Sequence, residues 1–518
     1  MLKGAGSLIM NPPLSYEGSL KPIFVPSPLE FAPQCLKTLP VTLSCDSSPK
    51  LAVGMNNQNS RCYSLKVVNM PAGIYTGTIA KRINMKFLNL PLYRNSIYLI
   101  INAVIMAGLT GTFWLLVARL KTSEDVGLGS ALLSAAAFLA FISTLGFNLG
   151  LISTLAKAGE GTFGAVNSSL TISGIAAVVT AVIFIVGIPL WSPVLLFVWE
   201  NPITMITFVC LVIVATYFNL LSGVFIGLRK ASFTVVQNII FQLVKVGAVI
   251  VLAAFFSIFA IIGSWALGYA LAIGVSLFFL LPRLMPGYWP KPDFQRQMTG
   301  EVFRFSLINF LAEGFWNSSA WLLPILVANL LGGEDSGHFY VAWYMASLLF
   351  AIPLGVSLSL FAEGAHREEL LAQNLKRSIM FTAALLVAAL PVFLLAGDRI
   401  LLLFGREYSQ TATSLLRILT ISAVPVSACL LYLGVARVQK KLRFVELLFG
   451  GVAIGTMTLS YVLVPKMGII GTGVSWLSMS SMAALIVLPR LIGLLRSEPH
   501  LRPELKQKNI EIVGADPQ

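Results

Sequence analysis

Runs of roughly 20 apolar residues follow one another from Asn95 to Leu494, each long enough to cross the ~30 Å hydrocarbon core of a bilayer as a helix. The pattern predicts helices over 95–119, 127–151, 167–190, 203–227, 234–256 and 258–282. A second set follows over 303–331, 337–362, 377–396, 411–435, 443–464 and 469–494. Twelve spans in two groups of six result: 91–282, a basic linker 283–302, then 303–495, with a short charged tail 496–518. Residues 1–90 break the pattern. Pro12, Pro13, Pro22, Pro26, Pro28, Pro33 and Pro40 interrupt every apolar stretch, and Lys3 is followed by no signal-peptide core. This segment reads as disordered, or as lying upstream of the true start at Met70 or Met85.

Two stretches align without a gap, Leu116–Ile142 and Leu326–Ile352. Leu116, Val117 and Ala118 pair with Leu326, Val327 and Ala328, and Ala136, Leu139 and Ile142 with Ala346, Leu349 and Ile352. Apolar matches are cheap in such a chain. The shared Glu124-Asp125-x-Gly127 and Glu334-Asp335-x-Gly337, expected in the turns after the first and seventh helices, are not. Six helices separate the two, so both halves enter the membrane in one direction. Such a parallel repeat has its axis along the membrane normal, and transporters built this way bind substrate between rocking halves.

Composition agrees with a bilayer as solvent: 57% of the 518 residues are hydrophobic and 11% charged, with a mean hydropathy of +0.83. The net charge of +14 reflects loops rather than a nucleic-acid surface, since no basic patch with interleaved aromatics falls on a soluble segment. Placing both termini in the cytoplasm puts Arg229, Lys230, Arg283, Lys291, Lys376, Arg377, Arg437, Lys440 and Lys441 inside. Arg119, Lys121, Arg399, Arg406 and Lys466 are left outside, and the opposite orientation would reverse the rule. The expected location is the cytoplasmic membrane.

The helix pair LLVARLKTSEDVGLGSALLSAAAFLAFISTLGFNLGLISTLAK resembles the opening of the polysaccharide-exporter branch of the multidrug/oligosaccharidyl-lipid/polysaccharide (MOP, MATE-like) exporter superfamily, which includes O-antigen and teichoic-acid flippases. GGEDSGHFYVAWYMASLLFAIPLGVSLSLFAEGAH resembles that branch's eighth helix, and LLLFGREYSQTATSLLRILTISAVP the start of its tenth. The likeness runs from about residue 90 to 495. It implies an all-α fold of twelve helices in two six-helix lobes around a V-shaped cavity. It also implies translocation of a polyprenyl-pyrophosphate-linked oligosaccharide, with other glycan-assembly proteins as partners. One departure stands out: midway along helix seven, where many exporters carry an Asp-Arg-like pair, this chain has Ser319, Ala320 and Trp321.

Polar residues inside the spans are the candidate site, because a charge at a helix centre costs about 2.5–3.5 kcal/mol unless it meets a partner or water. Asn238, Gln242 and Lys245 share one face of the fifth helix; Ser306, Asn309, Glu313 and Asn317 share one face of the seventh. Asn95, Tyr98 and Asn102 form a thinner stripe on the first. One reading is a hydrophilic cavity in which Lys245 meets pyrophosphate, Glu313 couples to a H⁺ or Na⁺ gradient, and the amides bind sugar hydroxyls. The other is interhelical hydrogen bonding, including a structural Lys245–Glu313 pair. Pro324, Pro353, Pro391 and Pro425 fall within spans, as hinges or as ordinary membrane-helix prolines.

No phosphate-cradling Gly-rich loop with a Lys-Ser/Thr end occurs, and His338, His366 and His500 are scattered, so no catalytic residue, metal site or bound cofactor is expected. The outer loops are short where a membrane glycan polymerase or ligase commonly carries its catalytic groups, which leaves such an enzyme the less favoured alternative. The remaining rivals are a cation-coupled multidrug exporter of the same fold and a peptidoglycan-precursor flippase.

Overall fold

The computed structural model describes residues 91–155, 162–294, 296–366, 368–439 and 441–496; the expectations for 1–90 and for the tail beyond Arg496 lie outside them. Twelve long helices carry the fold. The first six are α1 (Pro91–Leu120), α2 (Ser123–Ser143), α3 (Thr162–Trp191), α4 (Pro202–Gly227), α5 (Ala231–Leu252) and α6 (Ile258–Val275). The last six are α7 (Arg296–Leu331), α8 (Gly333–His366), α9 (Leu371–Leu395), α10 (Arg406–Val438), α11 (Leu442–Met467) and α12 (Ile470–Arg496). Among the described residues eleven are long and apolar enough to cross a membrane, and α1 adds the apolar stretch Ile105–Leu120. The described residues form no strand.

The surface explains the composition. Val178, Val182 and Val186, one turn apart on α3, are exposed, as are Phe381, Val387, Val392 and Leu395 on α9. In water such stripes would aggregate; in a bilayer they are the lipid-facing wall. The windows of α2 and α10 are instead mostly buried, which makes them central helices, while α9 is peripheral.

Three expectations shift. The second helix, expected over 127–151, is split. It begins at Ser123 and ends at Ser143, Leu145 and Gly146 take left-handed φ values of 50° and 77°, and the chain resumes as a short helix, Phe147–Leu155. The hydroxyls of Ser143 and Thr144 donate back to the carbonyls of Leu139 and Phe141 at 2.7 Å, and Gly146 accepts the turn without a Cβ penalty. The acidic Glu124–Gly127 motif is not the connecting turn but the first turn of α2, capped by Thr122, whose hydroxyl accepts from the Asp125 amide at 3.1 Å. Glu334 and Asp335 occupy the first turn of α8 in the same way. Carboxylates there complement the positive end of the helix dipole, which is why the motif recurs at two helix starts. Third, α7 starts at Arg296, so part of the expected linker is helical.

The rest of the linker folds back on α3. Tyr288 donates to Asn167 Oδ1 at 2.7 Å, Asn167 Nδ2 donates to the Trp289 carbonyl at 3.2 Å, and the Asp293 amide donates to Thr171 Oγ1 at 3.2 Å. Burial raises the Tyr288 phenol above its usual range, so it stays a neutral donor at physiological pH. Asn167→Ala strands a buried hydroxyl and a carbonyl. A loss of about 1–3 kcal/mol is expected, read as a lowered Tm in detergent; an unchanged Tm would show that the strap contributes nothing.

Candidate functional site

The helices α1–α6 and α7–α12 touch at the end that carries the α1–α2 and α7–α8 turns, here the turn end. There the repeated glycines touch. A Cβ on Gly127 would collide with the Gly333 carbonyl and stand 2.5 Å from the Gly337 nitrogen. A Cβ on Gly337 would collide with the Ser123 carbonyl and stand 3.2 Å from the Gly127 nitrogen. Ser123 and Gly127 align with Gly333 and Gly337 in the repeat, so each half presents the same backbone to the other. Reciprocal contact of this kind is what a local twofold axis produces.

A second pair obeys the same relation. Arg119, at the end of α1, donates to the carbonyls of Leu403 and Leu402 at 2.7 and 3.0 Å. Its repeat equivalent Asn329, at the end of α7, donates to Ser192 Oγ at 3.0 Å and accepts from the Val194 amide at 3.5 Å. Each half therefore clamps the loop that enters the fourth helix of the other. Ser123 adds a hydrogen bond to Glu407 at 3.3 Å, and Trp114 packs on Tyr340 with ring centroids 4.5 Å apart.

Farther from this end, the seam between α2 and α7 is aromatic. Phe141 stacks on Phe310 at 4.5 Å and lies 5.0 Å from Trp321, which also meets Phe138. Ser319 and Trp321, at the departure from the exporters' charged pair, thus build an apolar contact: Ser319 is buried and Trp321 packs on α2. A cavity of about 400 Å³ opens between α2, α7 and α11, lined by Phe138, Phe141, Phe310, Phe315, Ile454 and Met457 among others. Glu313 stands beside it in sequence, exposed, with Asn317 Nδ2 donating to its backbone carbonyl at 2.9 Å. The charged group acting on Glu313 is Arg437, in the last turn of α10.

The fifth-helix stripe lies elsewhere. Asn238, Gln242 and Lys245 do share a face, but all three are buried, with Gln242 and Lys245 fully enclosed. That face packs on α1 and α6. Gln242 Nε2 donates to Thr110 Oγ1 at 2.8 Å and to the Met106 carbonyl at 3.1 Å. Lys245 Nζ sits over the rings of Trp265, Phe241 and Phe113 at 4.4, 4.8 and 4.9 Å from their centroids, and 3.5 Å from Thr110 Oγ1. Lys245 and Glu313 are not brought together as a pair; an aromatic cage holds the first, and the charge acting on the second is that of Arg437. The side chains of Asn102 and Asn309 lie outside the described residues, although their backbones are helical in α1 and α7.

Sequence reasoning passed over Arg437, which it counted as a loop charge, and the Arg119/Asn329 clamps. The second could have been found from their equivalent places in the repeat; the first carries no sequence signal linking it to Glu313. Among the described residues no three His, Cys, Asp or Glu side chains gather into a metal-binding group. The arrangement offers a reciprocal backbone contact at the turn end, an apolar cavity between α2, α7 and α11, and Glu313 near that cavity within electrostatic reach of Arg437.

Comparison with known proteins fits this geometry. The chain superposes on an inward-facing MATE-family multidrug resistance transporter of the MOP superfamily with a TM-score of 0.58 and 14% identity, covering 79% of this chain and 99% of that one. An outward-facing structure described in the same terms gives 0.52 at 16% identity, over 78% and 96%. A MOP-superfamily transporter from Pyrococcus furiosus, whose description reports a binding pocket of reversed polarity, gives 0.51 at 14%, over 78% and 96%. No curated protein sequence matches the chain. The family described as polysaccharide biosynthesis protein matches residues 92–363. With more than half of its length in that match, the chain belongs to the family described as polysaccharide biosynthesis protein, and its all-α fold is that of the MATE transporters it superposes on.

Proposed function

We propose that this protein translocates a lipid-linked oligosaccharide or polysaccharide precursor, of the polyprenyl-pyrophosphate type, across the cytoplasmic membrane by alternating access. The observation that carries the reading is the reciprocal seam of a polysaccharide-biosynthesis family member: at the turn end the two helix sets touch through equivalent residues. A reciprocal contact can open as a unit, which is what rocking about a central axis requires. The lysine and arginine distribution supports a turn end outside and both termini in the cytoplasm. A H⁺ or Na⁺ gradient drives the step.

Glu313 and Asn317 of α7 and Arg437 of α10 are the residues we assign to the polar part of the path, with Asn309 on α7 and Asn102 on α1. Arg437 supplies a cation for pyrophosphate that the fifth-helix stripe, enclosed among α1 and α6, does not offer. The apolar cavity beside them suits the lipid portion of such a substrate. A multidrug exporter is the competing reading, favoured by the superposition on MATE transporters.

Reconstitution in liposomes with a labelled polyprenyl-linked oligosaccharide tests the proposal. The label should become accessible on the far leaflet with the wild type, and Glu313→Ala or Arg437→Ala should slow this while leaving the Tm unchanged. Gradient-dependent efflux of small cations without glycan transfer would establish the multidrug reading instead.

A further inference from the structure

Lys245 is expensive where it stands. It is fully enclosed, and no charged side chain among the described residues acts on it. An unpaired ammonium in an apolar interior carries a large desolvation cost, and a methionine would fill the same volume without it. The surroundings are nonetheless built for a cation: three aromatic faces converge on Nζ. Such faces attract a desolvated ammonium through their quadrupoles. Gly268 lets α6 come close enough to complete the cage, since a Cβ there would stand 2.9 Å from the Phe241 carbonyl and 3.3 Å from Lys245 Cβ.

The cage is also wired to the other half of the molecule. Thr110 and Phe113, which touch Lys245, belong to α1. One turn away, the Ala107 carbonyl accepts from the Tyr344 hydroxyl of α8 at 2.7 Å, and Gly111 packs against that same hydroxyl. Trp114, next to Phe113, packs on Tyr340 of α8. Whatever moves α1 relative to Lys245 therefore moves the contact between the helix sets.

We propose that Lys245 is a proton-carrying site inside the first six helices, whose charge state sets the position of α1 against α8. The charged form holds Thr110 and the rings in the arrangement described. Loss of the proton from Nζ, to water admitted as α1 moves off the cage, leaves a neutral amine without the cation–π attraction, so α1 stays shifted; uptake of a proton from that water reverses it. This rests on the transport reading and names the residue through which a proton gradient would act. Among the described residues, the other titratable groups near the face are phenols: Tyr269 on α6, stacked on Phe241, and Tyr340 and Tyr344 on α8. Phenols are neutral through the physiological range, so a transition there belongs to the amine.

Trp265 reports the charge directly, because its ring is the nearest of the three to Nζ. In full-length protein with the other tryptophans replaced by phenylalanine, emission from Trp265 should show a pH transition, brightening as the quenching ammonium is lost. Lys245→Met should abolish that transition, and Lys245→Arg, which keeps its charge throughout, should give emission that does not change with pH. A wild-type signal flat with pH, or a transition that survives in Lys245→Met, would overturn the proposal. Tyr344→Phe should keep the transition but separate it from the pH dependence of translocation; if it leaves that dependence intact, the link through α1 is wrong. The fluorescence arm does not depend on which substrate is carried, so its failure and the failure of the glycan reading are distinguishable.

Discussion

Gly127→Val is expected to abolish translocation and to hold the turn end open. The added side chain would enter the space of the Gly333 carbonyl and the Gly337 nitrogen. Both are backbone atoms in the first turn of α8, and a backbone cannot rotate out of the way as a side chain can. Overpacking a close contact costs typically about 1–3 kcal/mol, a factor of about 5–150 in the population of the sealed state. The repeat makes a second prediction free of new assumptions: Gly337→Val should do the same, because it collides with the Ser123 carbonyl on α2. Spin labels at the exposed turn-end residues Phe256 and Met467, one in each helix set, would read the opening as a longer distance. Gly451→Ala on α11 is the control, since nothing lies within 4 Å of its added Cβ, and alanine favours the helix by about 0.5–1 kcal/mol. A Gly127→Val protein with wild-type distances and wild-type transfer would remove the seam from the mechanism.

The sequence made the fold readable because a bilayer imposes one rule on every segment that crosses it: enough consecutive apolar residues to span, with the backbone satisfied internally. That rule fixed the twelve helix positions to within a few residues at most ends. It did not foresee the break at Leu145–Gly146, where Ser and Thr hydroxyls compete with the backbone inside an apolar run. The Glu-Asp-x-Gly repeat was visible too, although its role was displaced by one turn, from connecting loop to helix start.

The site was legible only in part, for a geometric reason. Helical period says which residues share a face, and Asn238, Gln242 and Lys245 do share one. It does not say which neighbour takes that face. Phe113 and Trp265 read along the chain as ordinary apolar positions, and only the approach of α1 and α6 to α5 turns them into a cation cage. Arg437 likewise acts on Glu313 from a different helix, a relation that no local pattern records.

Removing the paired clamps should shift the same equilibrium by a different route. Arg119→Ala deletes two hydrogen bonds from a charged donor to the carbonyls of Leu402 and Leu403. Asn329→Ala deletes the equivalent grip on Ser192 and Val194. Bonds from a charged group contribute about 1.5–3 kcal/mol when sheltered, and Arg119 is exposed, so water recovers part of that and about 1 kcal/mol remains. Each single variant should therefore open the turn end only several-fold. The clamps hold different loops and share no atom, so their effects should add, and the double variant should open it by tens-fold. The Phe256–Met467 distance distribution reads the populations, and the four proteins form a double-mutant cycle. Near-zero coupling would mean two independent latches. Strong coupling, with either single variant as open as the double, would mean that the two helix sets part as one rigid step and that the twofold contact has no partly open state. Wild-type distances in all three variants would show that the glycine contact alone seals this end.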